Sequence, residues 1–139
     1  MQVEPNRQGA RAAFGIEPSL NLHTIADAFL ANWGALERTG LHREEVQLVA
    51  SAVEQLEALP TDTSLLYSFN TAFGSRANTA LEELCRNCST LRRVAVAAPG
   101  AFRVQRDHWE EVCDPAVTYV AGSGEQHSFY VFGPRPTQQ

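Results

Sequence analysis

The chain has 139 residues, 44% of them hydrophobic, and a formal net charge of −5, which predicts one globular domain with a real core. All eleven basic residues are arginine, so chemistry that needs a lysine amine, such as a Schiff base or a phosphate-loop lysine, is excluded. The acidic balance argues against a general nucleic-acid or membrane-surface binder, because both require a basic surface.

The number of cysteines and the hydropathy pattern indicate in which cellular compartment the protein is expected. Three cysteines are an odd number and do not predict a disulfide framework, and residues 1–15 lack the apolar core of a secretory signal. No stretch approaches the roughly 18 apolar residues that a membrane span needs. A reducing, cytoplasmic compartment is therefore expected. The absence of lysine is typical of a GC-rich genome; the alternative is selection against lysine tagging in a foreign cytosol.

The first half of the chain predicts an arm followed by two amphipathic helices. Residues 1–18 are polar and show no hydrophobic periodicity, so we expect a flexible or docked arm there. A single domain over 19–133 and an extended tail over 134–139 are expected to follow. Apolar residues recur at helical spacing from about Asn21 to Arg38 and again over Leu41–Leu59. Two helices joined so tightly should pair with each other or cover a sheet.

The second half predicts a parallel βαβ unit and a hairpin. Leu65–Phe69 and Leu91–Ala98 are apolar runs, and a short helix over 79–87, capped by Asn78, connects them. A further short helix is expected over Arg103–Cys113. Strand-like runs over 117–120 and 128–132 flank a glycine-containing loop, which is a hairpin signal.

The predicted fold class is thus α/β. It consists of a small sheet of about four strands with a parallel βαβ unit, a C-terminal hairpin and an N-terminal helix pair that covers one face.

The loop after the first predicted strand is the expected ligand site, because ligands of parallel sheets lie at the carboxyl ends of the strands. Its candidate residues are Ser68, Asn70, Thr71, Ser75 and Arg76. Their amide, hydroxyl and guanidinium groups suit a small anion or an amide-bearing ligand at a helix N-terminus. The alternative is that the asparagines serve only in turns and caps. With a single glycine the loop does not wrap a diphosphate, and no cofactor is predicted.

The C-x-x-C motif at Cys85 and Cys88 suggests a metal site as an alternative. The candidate ligands are Cys85, Cys88, His108 and Cys113, since a tetrahedral zinc site takes four such groups. Against this, the two cysteines of the C-x-x-C continue the apolar stripe of their predicted helix, and no second C-x-x-C follows. Buried structural cysteines are therefore favoured, with no metal and no catalytic set predicted.

The order of elements resembles the DICT sensory domain, which is found beside bacterial signalling and transcription-factor modules. The resemblance covers at most residues 41–133. It rests on a helix, Leu65–Phe69, a short helix, Arg93–Pro99 and a late aliphatic strand. The acidic-Pro-Leu stretch and the Glu-Trp pair of that family are absent, so no residue roles are carried over. The resemblance implies a non-enzymatic regulatory role.

Three functional hypotheses follow from these observations. The first is a regulatory or sensory binding module that acts through a small-molecule ligand or a protein partner, with no nucleic acid and no membrane involved. The second is a protein-interaction factor, such as an immunity, adaptor or host-directed protein, that uses its acidic surface and N-terminal arm. The third is a small metalloprotein with the cysteine and histidine site. The oligomeric state is left open.

Overall fold

The computed structural model of the chain describes residues 13–16, 46–49, 51–119 and 123–136. It divides into two compact units, residues 1–55 and residues 56–139. Within the described residues no helix is both long and apolar enough to cross a bilayer.

The first unit contains a two-stranded parallel sheet. Strand β1 (Ala13–Ile16) pairs with β2 (Val46–Val49), and Val53–Gln55 forms a short 3-10 helix. The helix predicted over 41–59 is therefore wrong from Val46 onward. Two β-branched valines in β2 favour an extended backbone when a partner strand is available, and the helical spacing of the apolar residues did not reveal that partner. The helix predicted over 21–38 lies outside the described residues.

The second unit is a mixed sheet with two helices. Its elements in chain order are β3 (Leu65–Ser68), α1 (Ser75–Arg86), β4 (Arg93–Val96), α2 (Gly100–Val104), β5 (Trp109–Glu111), β6 (Ala116–Tyr119) and β7 (Gln126–Pro134). The strand order is β3-β4-β7-β5, and β6 also pairs with β7. The α/β fold class predicted from the sequence is confirmed, with five strands in this sheet rather than about four.

The predicted βαβ unit is present. Strands β3 and β4 are parallel neighbours, with Tyr67 opposite Ala95 and Ser68 opposite Val96. Helix α1 makes the crossover between them. This arrangement places the carboxyl ends of both strands, and the loops that follow them, at one edge of the sheet.

Strand β7 organises the rest of the sheet because it is long enough to pair on both sides. One edge pairs antiparallel with β4. The other edge pairs first with β6 and then with β5. Phe132 stands at the centre, opposite Val94 on one side and Glu111 on the other. The predicted C-terminal hairpin is confirmed as β6 and β7.

One face of this sheet is covered by the two helices. Val94 and Val96 point to that face and are fully buried, as are Phe102 of α2 and Trp109 of β5. The Phe102 ring stacks on Phe132 and meets Trp109 edge to face, each at 5.4 Å between centroids. Such aromatic pairs contribute about 0.5–1.5 kcal/mol beyond the burial of their area.

Two helix boundaries differ from the prediction. Helix α1 begins at Ser75 rather than Thr79, so Asn78 lies within it and the N-cap is Gly74. The helix predicted over 103–113 is also wrong. Its place is taken by α2, which begins directly after Pro99, and by β5, because Trp109 to Glu111 pair with β7. Pairing with a distant strand overrides local helix propensity here.

The aromatic core predicts unequal effects of two truncations in α2. Phe102→Ala should lower the free energy of unfolding by about 3–5 kcal/mol, because it leaves a cavity between α2 and the sheet. Val104→Ala, at a position 78% exposed in the same helix, should change it by no more than about 0.5 kcal/mol. Urea unfolding followed by tryptophan fluorescence measures both. Similar midpoints for the two variants would contradict this account of the core.

Candidate functional site

The carboxyl edge of β3 and β4 is held together by the side chain of Asn70. This side chain is 1% exposed. Its amide nitrogen donates to Ala98 O at 2.9 Å and to Asn78 Oδ1 at 2.8 Å, while its carbonyl oxygen accepts from Ala98 N at 2.7 Å. One buried amide therefore joins the chain after β3, the chain after β4 and helix α1. Both of its donors are used, so Asn70 supports the loop rather than offering an amide to a ligand.

The loop between β3 and α1 is short and tied at several points. Phe73 N donates to Asn70 O at 3.2 Å, which closes a turn over residues 70–73. Asn78 Nδ2 donates to Phe73 O at 3.4 Å and thereby fixes the turn to the first turns of the helix. The alternative considered for the asparagines, that they serve in turns, describes Asn70 and Asn78 well.

The remaining predicted site residues separate into two groups. Ser68 is half-buried and lies opposite Val96, on the sheet face that the helices cover. Thr71, Ser75 and Arg76 are exposed at the carboxyl edge, beside the exposed Phe73 ring. The structure therefore places two hydroxyls, a guanidinium and an aromatic ring within one short segment, on a loop that Asn70 holds in place. No carboxylate occurs between residues 63 and 81.

A buried carboxylate that sequence reasoning missed lies on α1. Glu82 is 2% exposed. It accepts hydrogen bonds from Arg86 Nε at 2.9 and 3.1 Å and from the Trp109 indole nitrogen at 3.2 Å. The i,i+4 spacing of Glu82 and Arg86 was a signal in the sequence, but the burial of the Glu82 carboxylate beside Trp109 was not. With these partners the carboxylate links α1 to β5 and is a structural group.

The cysteines and the histidine of the alternative metal site are dispersed. Cys85 is buried within α1, Cys113 is exposed, and His108 packs edge to face on Trp109 at 4.7 Å. In the described part of the chain no three His, Cys, Asp or Glu residues are grouped as metal ligands. Burial raises the pKa of the Cys85 thiol to about 12, and the neighbouring Glu82 and Cys88 act in the same direction. The Cys85 thiol is thus protonated at neutral pH and lies within the core.

The second face of the sheet carries an aromatic cluster whose residues were predicted to lie in strands, except His127, which was predicted to lie in the hairpin loop. The Tyr67 ring stacks on Phe129 at 5.0 Å and 24°, and the Phe69 ring meets His127 edge to face at 4.7 Å. Phe129 is buried beneath them, whereas Tyr67 is 66% and Phe69 45% exposed. We call these four residues the aromatic platform. The two aromatic residues at positions 67 and 69 of a predicted strand, which share one face, were the available signal.

Comparison with known proteins identifies a fold but no family. No family model matches the chain, and no curated protein matches it. Among solved structures, a candidate tRNA (m1A22) methyltransferase from Streptococcus pneumoniae matches with a TM-score of 0.59 and 15% identity. The match covers 93% of this chain and 55% of that one, so the chain spans about half of its length. An uncharacterised protein from Listeria monocytogenes serotype 4b has a TM-score of 0.48 and 12% identity, covering 92% of this chain and 64% of that protein.

The similarity corrects the functional prediction. At 15% identity it concerns the fold alone, which this chain shares with part of a candidate methyltransferase. The prediction of a non-enzymatic regulatory or sensory module was therefore wrong. Its error came from reading the absence of a familiar catalytic motif as evidence for a binding module, although fold and function are set by different residues. The resemblance to the DICT domain is not tested by these comparisons and stays a prediction.

The hydrogen bonds of Asn70 predict a strong effect of its removal. Asn70→Ala should lower the free energy of unfolding by about 2–4 kcal/mol, because both backbone groups of Ala98 lose their partner in a partly buried place. Thr71→Ala, at the exposed neighbouring position, is the matched control and should be close to neutral. Thermal unfolding followed by circular dichroism compares the two. Equal melting temperatures would show that the amide does not hold this edge.

The thiols predict a clear order of reactivity. At about pH 8, iodoacetamide should modify the exposed Cys113 first and leave Cys85 intact, because thiolate is the reactive form and the Cys85 thiol is still protonated. Cys88 should react slowly, since its sulfur lies 3.7 Å from Thr63 O and 3.5 Å from Thr90 Oγ1. Peptide mass spectrometry of a time course measures this order. Modification of Cys85 at the rate of Cys113 in folded protein would contradict the packing of α1.

Proposed function

We propose that this chain is a methyltransferase-type domain that acts on RNA and holds the acceptor base at the carboxyl edge of β3 and β4. The observation that carries the proposal is the fold match to a candidate tRNA methyltransferase over 93% of the chain. The chain spans 55% of that protein, so both the activity and the substrate are part of the proposal. A cytoplasmic location, where RNA is present and the free thiols stay reduced, completes it.

The chemistry of the carboxyl edge supports an acceptor base. Thr71 and Ser75 offer hydroxyl groups that donate or accept hydrogen bonds, and Arg76 offers a planar cation. The exposed Phe73 ring offers a stacking surface for a planar base. The turn over residues 70–73 is fixed by the Asn70 amide, so these groups are held before a ligand arrives, which reduces the entropy cost of binding.

The carboxyl edge of β3 and β4 lacks the carboxylate that would hold the methyl donor implied by this class of fold. S-adenosylmethionine is a sulfonium cation with a ribose diol, and carboxylates are the side chains that accept hydrogen bonds from ribose hydroxyls in related sheets. The segments 63–81 and 88–106, which build β3, β4 and the loops after them, contain no carboxylate. We therefore assign no residue to the donor, and the proposal concerns the acceptor side.

Methyl transfer from tritium-labelled S-adenosylmethionine tests the proposal. The full chain is incubated with total cellular RNA, and label is counted in the nuclease-sensitive fraction. We expect labelling of RNA and a loss of about tenfold or more in kcat/KM for Arg76→Ala, because a hydrogen bond from a charged group contributes about 1.5–3 kcal/mol. Arg92→Ala, at the opposite end of β4 and equally exposed, should retain kcat/KM within about twofold.

Three outcomes would contradict the proposal. Label that enters only small molecules or protein would reject RNA as the acceptor. Equal losses for Arg76→Ala and Arg92→Ala would move the acceptor away from the carboxyl edge. Absence of any transfer with RNA from several sources would reject the activity.

A further inference from the structure

Two of the three cysteines lie within one turn at the end of α1. Cys85 belongs to the last turn of the helix, which ends at Arg86, and Cys88 follows two residues later. Cys88 N donates to Cys85 O at 3.1 Å, and Asn87 between them keeps a right-handed helical backbone. A hydrogen-bonded turn holds its first and last Cα atoms within about 7 Å, and a disulfide joins Cα atoms about 4.4–6.8 Å apart. The two thiols therefore lie within the reach of one disulfide.

The Cys88 sulfur is held by weak contacts that it can leave. It lies 3.7 Å from Thr63 O and 3.5 Å from Thr90 Oγ1, and a thiol is a weak hydrogen-bond donor. Thr63 O also accepts a hydrogen bond from Thr90 Oγ1 at 2.7 Å, so the segment before β3 stays attached without the thiol. Side chains three apart on a helical turn have Cβ atoms about 5–6 Å apart, and a disulfide brings them to about 3.8 Å. Cys88 lies beyond the helix and is the residue that makes this movement.

The surroundings of Cys85 do not oppose oxidation. Burial raises the pKa of its thiol to about 12, and the neighbouring Glu82 and Cys88 act in the same direction. Cysteine pairs that resist oxidation do so because their reduced form contains a stabilised thiolate, typically at a helix N-terminus. This pair lies at a helix C-terminus, where the helix dipole disfavours negative charge. The reduced form therefore gains no thiolate stabilisation at Cys85 that oxidation would remove.

We propose that Cys85 and Cys88 form a redox modification site, which hydrogen peroxide converts reversibly to an intramolecular disulfide. Peroxide first oxidises the half-buried Cys88 thiol to a sulfenic acid: the O–O bond breaks, an S–O bond forms, and one water leaves. The Cys85 sulfur then attacks the Cys88 sulfur, so that the S–S bond forms as the S–O bond breaks, and the hydroxyl group leaves with the Cys85 proton as a second water. Reduced glutathione restores both thiols. The site lies at the amino end of β3, away from the carboxyl edge, and does not depend on the proposed function.

Burial protects Cys85 from reagents in solution but not from Cys88. Cys85 is 1% exposed, so an alkylating reagent reaches it only when α1 opens. The Cys88 sulfur approaches it from the same turn and needs no such opening. Reactions between groups held this close have a high effective concentration, which offsets the low thiolate fraction of Cys85. The exposed Cys113 has no second cysteine nearby in the sequence, so its thiol is left for reactions between molecules.

Hydrogen peroxide treatment of the folded full chain carrying Cys113→Ser tests the site. The remaining thiols are blocked with N-ethylmaleimide in denaturant, and the protein is digested with trypsin. Cleavage after Arg86 places Cys85 in peptide 77–86 and Cys88 in peptide 87–92, so the two peptides stay joined only when the disulfide has formed. We expect the joined pair in the mass spectrum, about 2 Da lighter than the sum of the two thiol peptides. Incubation with reduced glutathione before blocking should abolish it.

Variants with one cysteine provide the matched controls. In Cys113→Ser with Cys88→Ser, Cys85 should stay a free thiol under the same treatment, because its partner is missing. In Cys113→Ser with Cys85→Ala, Cys88 should advance to the sulfinic acid, about 32 Da heavier.

The outcomes that would reject the site are equally specific. Two free thiols after peroxide treatment of the Cys113→Ser chain would do so, as would a sulfinic acid at Cys88 while Cys85 is still present and reduced. Two copies of peptide 87–92 joined to each other would show a bond between chains instead. Circular dichroism follows the fold during the treatment, and a disulfide that forms only after unfolding would also overturn the inference.

Discussion

The buried amide of Asn70 is the interaction on which the carboxyl edge depends. A parallel pair of strands has no short turn to hold its ends together, because the connection runs through a helix on the far side. Asn70 supplies that link by bonding both backbone groups of Ala98 and the side chain of Asn78. The loop between β3 and α1 therefore presents its exposed side chains from a fixed backbone. Among the described residues, Asn70 is the most deeply buried polar side chain, and its role is to support the backbone of this edge.

The two faces of the sheet have different partners, and this difference follows from alternation along each strand. Val94 and Val96 face the helices and are fully buried, while Ala95 between them lies on the platform face beside Tyr67. On the helix face, Phe102 completes the apolar packing. The buried Glu82 carboxylate accepts hydrogen bonds from Arg86 and from the Trp109 indole. On the other face, the rings of Tyr67 and Phe69 pack against the buried Phe129 but stay exposed themselves. Burial of apolar side chains is therefore concentrated on one face of the sheet.

Secondary structure was predicted correctly where the local pattern of apolar residues determines it. The prediction was wrong where pairing with a strand far away in the sequence determines it. The apolar runs around Tyr67 and Val96 predicted the parallel pair correctly, because buried strands leave a strong signal. The segment at Val46–Val49 and the segment around Trp109 read as helices, yet both are strands, since their partners lie far away in sequence. At the site, the residue types of the loop were visible. The burial of Asn70 was not, because a turn and a ligand site use the same residue type.

Net charge is an incomplete description of this molecule because it averages over surfaces that act separately. Screening limits the reach of an exposed charge to about 10 Å at ordinary ionic strength, so a ligand on one face responds to the charges of that face. The ion pairs of the second unit show such local differences: Arg103 lies 2.8 Å from Glu111, and Arg135 lies 3.4 Å from Glu110. Arg93, by contrast, donates to the backbone oxygen of Arg92 at 2.7 Å. The charge that a site presents is therefore set by its own neighbours and not by the net charge of −5.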